Sequence, residues 1–328
     1  MASQFLHDLK DPATSWKGSS KTFFPNGAIS SEAGSVVDPA GPHLLYWMLD
    51  TVMYKVPEGT DIDTAHMSHV HRNGYETFFV DSGSLYLFIN GQKCLVKKGD
   101  IVQLQAGQAH GMYFLEETKW RGTYHDYVVP TEMNDALRVM AMMPELADDP
   151  ELKALNPGMD NIKLEPLNYK EVPAEECWAV KNIDRPHAEY KFDGVTMKVI
   201  VERWENGGTK EMCCAVMEPG FTAEWEKYPR LRELFFVRSG KVKFKVMNEE
   251  FIADDECVVD IPRYAPHSIE VLEKTEMFDL GGQTMWSLFL QNYESIRNRA
   301  PERLNDPATL QALKDKFDCP IKSIGMKK

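Results

Sequence analysis

His69-Val70-His71 sets two imidazoles one residue apart. On a β-strand such a pair projects to one side, because side chains alternate between faces. Glu76 follows shortly after, at the head of the apolar run Thr77-Phe78-Phe79-Val80, and His110 comes after another strand-like run, Gly99-Asp100-Ile101-Val102. Three imidazoles and one carboxylate are a mixed nitrogen and oxygen donor set suited to first-row divalent ions, Mn or Fe foremost, with Zn, Ni or Co also accommodated. Folded together, they would hold one such ion per chain. Four protein donors leave two positions of an octahedral ion open, enough for a substrate to chelate through two oxygens or for a substrate and O₂ to bind side by side. One carboxylate and three neutral imidazoles around a dication leave a positive site, which suits carboxylates, enolates and 1,2-diols.

The elements that must position these residues are legible from an internal repeat. Glu76-Thr-Phe-Phe-Val-Asp-Ser-Gly83 reappears as Glu233-Leu-Phe-Phe-Val-Arg-Ser-Gly240, and the same spacing carries Gly99 to Glu256 and His110 to His267. Each copy reads as short strands separated by turn residues. Leu85–Ile89, Asn90-Gly91 and Lys93–Val96 predict a hairpin with a type I′ turn, since Asn-Gly readily takes positive φ. In the second copy Lys243 and Lys245 alternate with apolar neighbours, giving one solvated and one buried face. The spacing predicts two similar all-β domains: residues 1–130 as the first barrel with an N-terminal arm, 131–190 as a linker with short helices, 191–283 as the second barrel, and 284–328 as a helical tail. Helical turns are expected at Thr131–Met143 and after Asp149-Pro150. Asp306-Pro307 should open a helix running to about Phe317, by capping and proline placement.

Composition narrows the setting. The chain has 328 residues, 43% hydrophobic and 27% charged, with a formal net charge of −13. This is globular composition, and its acidity argues against nucleic acid or an anionic membrane as partner. The N-terminus has neither the basic nor the apolar region of a secretory signal, and no apolar run reaches membrane-spanning length. The six cysteines show no CxxC pattern, so reduced, buried thiols in a cytoplasmic protein are expected.

The spacing His69-x-His71, four residues, Glu76, six residues, Gly83 resembles the first cupin motif, and Gly99, five residues, Gln105-x-Gly107, two residues, His110 resembles the second. The chain resembles a bicupin over roughly residues 44–130 and 191–283. The resemblance implies two antiparallel jelly-roll barrels in tandem and the metal ligands His69, His71, Glu76 and His110. Two positions depart from the family pattern: Gln105 stands where proline is usual and Phe114 where asparagine is usual. In the second copy the ligand positions become Glu226, Tyr228, Glu233 and His267. They read as a degenerate barrel, with binding of a hard cation as the alternative. The resemblance also implies a homodimer, in keeping with edge strands that seek partners.

The resemblance points first to an Fe or Mn dioxygenase cleaving a C–C bond of a phenolic or enolisable dicarbonyl substrate. The alternatives are a redox-neutral Mn or Zn hydrolase, decarboxylase, lyase or isomerase, and a non-catalytic cupin that binds a small ligand. Oxalate-decarboxylase-type bicupins share the three-histidine and glutamate set, but usually keep ligands in both barrels. His66, Tyr75 and Gln105 are candidate catalytic residues beside the ligands. Strict alternation aims His66 away from the site, and only a turn would bring it back as a proton shuttle. Met112 and Phe114 share the parity of His110 and should line the cavity.

Overall fold

The computed structural model describes residues 3–8, 10, 20–23, 29–35, 46–53, 58–71, 74–126, 145, 149–150, 161–206, 211–225, 233–280, 285–319 and 321–327. The chain forms two compact units, residues 11–182 and residues 1–10 with 183–328. The first helical stretch expected in the linker lies outside the described residues, as does all but Asp149 and Pro150 of the second.

Residues 11–182 build two sheets. One has seven strands, in the order Val180–Asn182, Asp100–Leu104, Gly74–Ser82, Thr118–Asp126, Tyr46–Met53, Ile29–Ser35, Ser20–Phe23. The other has six, in the order Asn161–Lys163, His69–His71, His110–Phe114, Ser84–Ile89, Gln92–Lys97, Lys170–Glu171. Alternation decides what lies between them: Phe78 and Val80 from the first sheet meet Leu85, Leu87, Met112 and Phe114 from the second in one buried cluster. The hairpin between Ser84–Ile89 and Gln92–Lys97 turns through Asn90 and Gly91 at φ 51° and 69°, as the Asn-Gly pair predicts.

The division of the chain differs from the expected one in two places. Residues 161–182 belong to the first unit, where Asn161–Lys163 pairs with His69–His71, Lys170–Glu171 with Gln92–Lys97, and Val180–Asn182 with Asp100–Leu104. Residues 1–10 belong to the second unit, because Leu6–Asp8 pairs with Cys257–Ile261. In both cases backbone hydrogen bonds to a distant edge hold the segment, and such bonds leave no side-chain period in the sequence.

In the second unit the path runs Leu6–Asp8, Cys257–Ile261, Glu233–Val246, His267–Asp279, Met212–Met217, Val195–Val201, Ala188–Phe192. Phe221–Trp225 pairs with His267–Asp279 and with the last strand, Ile321–Met326. The tail contributes helices Trp286–Arg299 and Pro307–Phe317, whose Trp286, Phe289, Leu290, Leu313 and Phe317 are buried in this barrel's core. Asp306 caps the second helix by accepting from the Ala308 and Thr309 N–H groups at 3.1 and 3.2 Å, with Pro307 in its first turn.

The repeat is kept in backbone conformation even where residue types change. Gly83 and Gly240 have φ of 80° and 96°, and a Cβ at either would strike a backbone carbonyl, of Glu117 or Lys274. Gly99 and Gly107 also have positive φ, and their counterparts Glu256 and Tyr264 keep it at 70° and 68°. A side chain in that region is strained by about 1–2 kcal/mol, so the second barrel preserves the turns at a cost. No helix among the described residues is long and apolar enough to cross a membrane, and all six cysteines are free and buried.

Candidate metal centre

The six-stranded sheet supplies the imidazoles and the seven-stranded sheet the carboxylate. His69–His71 and His110–Phe114 are neighbours, with His110 opposite His69. Glu76 sits on Gly74–Ser82, opposite Leu104, and points inward with the parity of Phe78 and Val80. A turn at Gln105–Gln108 brings the chain back to His110, and the Gly107 N–H donates to the His71 carbonyl at 2.6 Å. One donor atom from each of His69, His71, Glu76 and His110 falls within 4.8 Å of all the others. An ion with bonds of about 2.1 Å spans trans donors about 4.2 Å apart, so closure asks for roughly half an ångström. Among the described residues this is the sole group of three or more such side chains gathered closely enough for an ion.

The rings are held ready. The His69 Nδ1–H donates to the Met67 carbonyl at 2.8 Å, and the His110 Nδ1–H to the Gln108 carbonyl at 2.9 Å. A carbonyl only accepts, so each Nδ1 carries a proton and each Nε2 is the atom turned toward the cluster. Backbone acceptors of this kind commonly orient metal-bound histidines. Burial, followed by the neighbouring His110, pushes His69 down to about 3, leaving it a neutral donor. Burial works against charge on Glu76, but His71 and His110 outweigh it and hold the carboxyl well below the usual range. Glu76 stands 3.3 Å from His71 Nε2 and 3.4 Å from His110 Nε2. Glu76 Oε2 and His110 Nε2 are buried without a hydrogen bond, which is costly unless something else satisfies them. Three imidazoles and an ionised carboxylate, all converging, fit a divalent ion.

Of the other candidates, His66 is corrected by the structure. Its Nδ1–H donates to the Ile62 carbonyl at 3.0 Å, and its Nε2 accepts from the Leu167 N–H at 2.9 Å. Its ring stacks on Phe88 with centroids 3.9 Å apart. Both nitrogens are spent on backbone groups, so no lone pair remains for a proton shuttle. Tyr75 adjoins Glu76 on one strand and therefore faces the opposite side of the sheet; burial raises its phenol. Gln105 opens the turn before His110, and its own N–H is taken by the Gln108 side-chain oxygen at 3.3 Å. Met112 and Phe114, expected to line the cavity, are buried in the core cluster between the sheets. The carbonyls of Met67 and Gln108 were not singled out from sequence. Each lies two residues before its histidine, and a backbone acceptor leaves no mark in residue type.

In the second barrel Glu226 and Tyr228 lie outside the described residues. His267 keeps the orienting bond, from Nδ1–H to the Ala265 carbonyl at 2.9 Å, but its ring stacks on Trp225 at 4.5 Å. Burial and Asp279 push Glu233 well above the usual carboxylate range, which disfavours its charged form. Burial also pushes His267 down to about 4 from an ordinary 6.5. The unfolded chain then takes up a proton below pH 6.5 that the folded chain refuses down to about pH 4. Stability therefore falls with acidification through this window, by about 3 kcal/mol for this group. His267→Gln should flatten that loss between pH 7 and 4 in urea unfolding; an unchanged slope would contradict the buried, neutral ring.

Residues 52–124 match the cupin domain, and the match contains all four clustered side chains. That segment is a cupin domain. Solved structures similar to this cupin include oxalate decarboxylase of Bacillus subtilis, in a study of its Mn(II) centres by EPR, at 13% identity and a TM-score of 0.50, covering 85% of this chain and 77% of that one. An arginine-to-alanine variant and a tryptophan-to-tyrosine variant of the same enzyme give the same identity, TM-score and coverage. At that identity the likeness is one of fold: two cupin barrels in tandem. No curated protein matches the chain in sequence.

Proposed function

We propose that this cupin is a metal-dependent enzyme, with one Mn or Fe ion held by His69, His71, Glu76 and His110, that cleaves a C–C bond in a small anionic or enolisable substrate. The observation that carries the reading is the convergence of four donors, two of them buried without a hydrogen bond, from facing sheets. Bound there, the ion would supply Lewis-acid polarisation of substrate oxygens or a redox centre. The protein's part is to fix two of the three imidazoles, His69 and His110, by backbone carbonyls, to keep Glu76 ionised, and to back the cluster with buried Met112 and Phe114.

For the reaction, redox-neutral decarboxylation or a related lyase step takes precedence over the oxygen-dependent cleavage expected from the sequence resemblance. Its support is the glutamate in the donor set, together with likeness in fold to a Mn(II) decarboxylase that acts on oxalate. The dioxygenase reading keeps one observation in its favour: among the described residues the second barrel offers no comparable donor cluster. Assays of Mn- and Fe-loaded protein with oxalate, small 2-keto acids, β-dicarbonyls and phenols, under air and under nitrogen, separate the readings. We expect CO₂ release under nitrogen. Oxygen uptake matched to substrate loss would move the assignment to a dioxygenase. Tight binding without turnover under either gas would make it a non-catalytic cupin.

A further inference from the structure

We propose that the second barrel is a chamber for an uncharged, mainly apolar small molecule with one hydrogen-bond acceptor, seated against Trp225. The barrel and its tail line a pocket of about 320 Å³ that is open on one side, the size of ordinary small-molecule sites. Its walls are apolar: Met197, Ala215, Phe221 and Phe235 come from the barrel, with Phe289 and Ile324 from the tail closing over them. A pocket of this size with mainly apolar walls and an opening to solvent is accessible to a small molecule.

The polar marker in this wall is Trp225. The side chain lines the cavity and is 6% exposed, and its Nε1–H meets no acceptor among the described residues. A buried indole N–H normally finds a partner. A carbonyl or ether oxygen on a ligand in the adjoining space would provide it. Charge is disfavoured by the remaining lining. Asp279 shares the lining, which opposes an anion, and of the two lysines there Lys322 at the rim is held by Glu224 at 2.7 Å, while Lys314 belongs to the tail helix Pro307–Phe317. The apolar walls leave a cation poorly solvated. The site is separate from the metal cluster, which lies in the other unit.

The test is isothermal titration of the full chain with 2-acetonaphthone and with 2-ethylnaphthalene, which has nearly the same shape but no acceptor. We expect one saturable site per chain and a preference of about tenfold for the ketone, the worth of one buried hydrogen bond. Trp225→Phe should remove that preference while keeping hydrocarbon binding. Ala215→Phe, which fills the chamber, should weaken both ligands by at least about tenfold. Absence of saturable binding to the wild type, or a ketone preference that survives Trp225→Phe, would overturn the proposal. Should Ala215→Phe fail to fold by circular dichroism, the conservative Trp225→Phe variant still decides.

Discussion

His110→Ala is expected to strip the ion from the first barrel and abolish turnover. His110 is buried, its Nδ1–H is fixed by the Gln108 carbonyl, and its Nε2 faces Glu76 at 3.4 Å. It also joins the His69 strand directly, opposite His69 itself, so its loss removes one donor and loosens the alignment of a second. Changing residues that merely support a ligand typically costs about 10- to 100-fold in metal affinity. Losing the ligand itself should exceed about a hundredfold. Metal analysis after gel filtration should give about one ion per wild-type chain and almost none in the variant, while His267→Gln keeps its ion. An ion present at a thousand times its Kd stabilises the folded state by about 4 kcal/mol. A chelator should therefore lower the melting temperature of the wild type and leave that of His110→Ala unmoved. A variant that retains a full equivalent of metal would remove His110 from the ligand set.

His66→Ala is expected to cost roughly 3–5 kcal/mol of stability, the range for truncating a large, well-packed buried ring. The ring fills the space over Phe88, and the truncation leaves the Leu167 N–H and the Ile62 carbonyl without partners. It also removes the ring edge, at Cδ2, that lies against Gly111. Denaturant unfolding measures the loss directly. A shuttle would behave in the opposite way, with stability held within about 1 kcal/mol and turnover reduced at unchanged metal content. That result would restore His66 to the chemistry.

These two histidines also mark how far the sequence could be read. The clustered donors were legible because period-two spacing puts His69 and His71 on one face, and because the repeat fixes Glu76 and His110 within a recognisable frame. The tandem barrels and the Asn90-Gly91 turn came from the same patterns. His66 was ambiguous because its partners, Leu167 and Phe88, are far away in sequence and two of its contacts are with backbone. The short strands Asn161–Lys163, Lys170–Glu171 and Ile321–Met326 escaped for a related reason. They are narrow additions to sheet edges with mostly exposed side chains, so their pairing is written in backbone hydrogen bonds. The chamber beside Trp225 was hidden too, since its walls join strands and tail helices from one end of the unit to the other.

The central claim is that the first barrel grips one ion through three imidazoles and a carboxylate. An anomalous difference map, collected at the absorption edge of the metal bound by protein purified without added metal, tests it most directly. The account predicts one peak per chain, bonded to His69, His71, His110 and Glu76. A peak elsewhere, or none between these four side chains in a metal-loaded crystal, would contradict it.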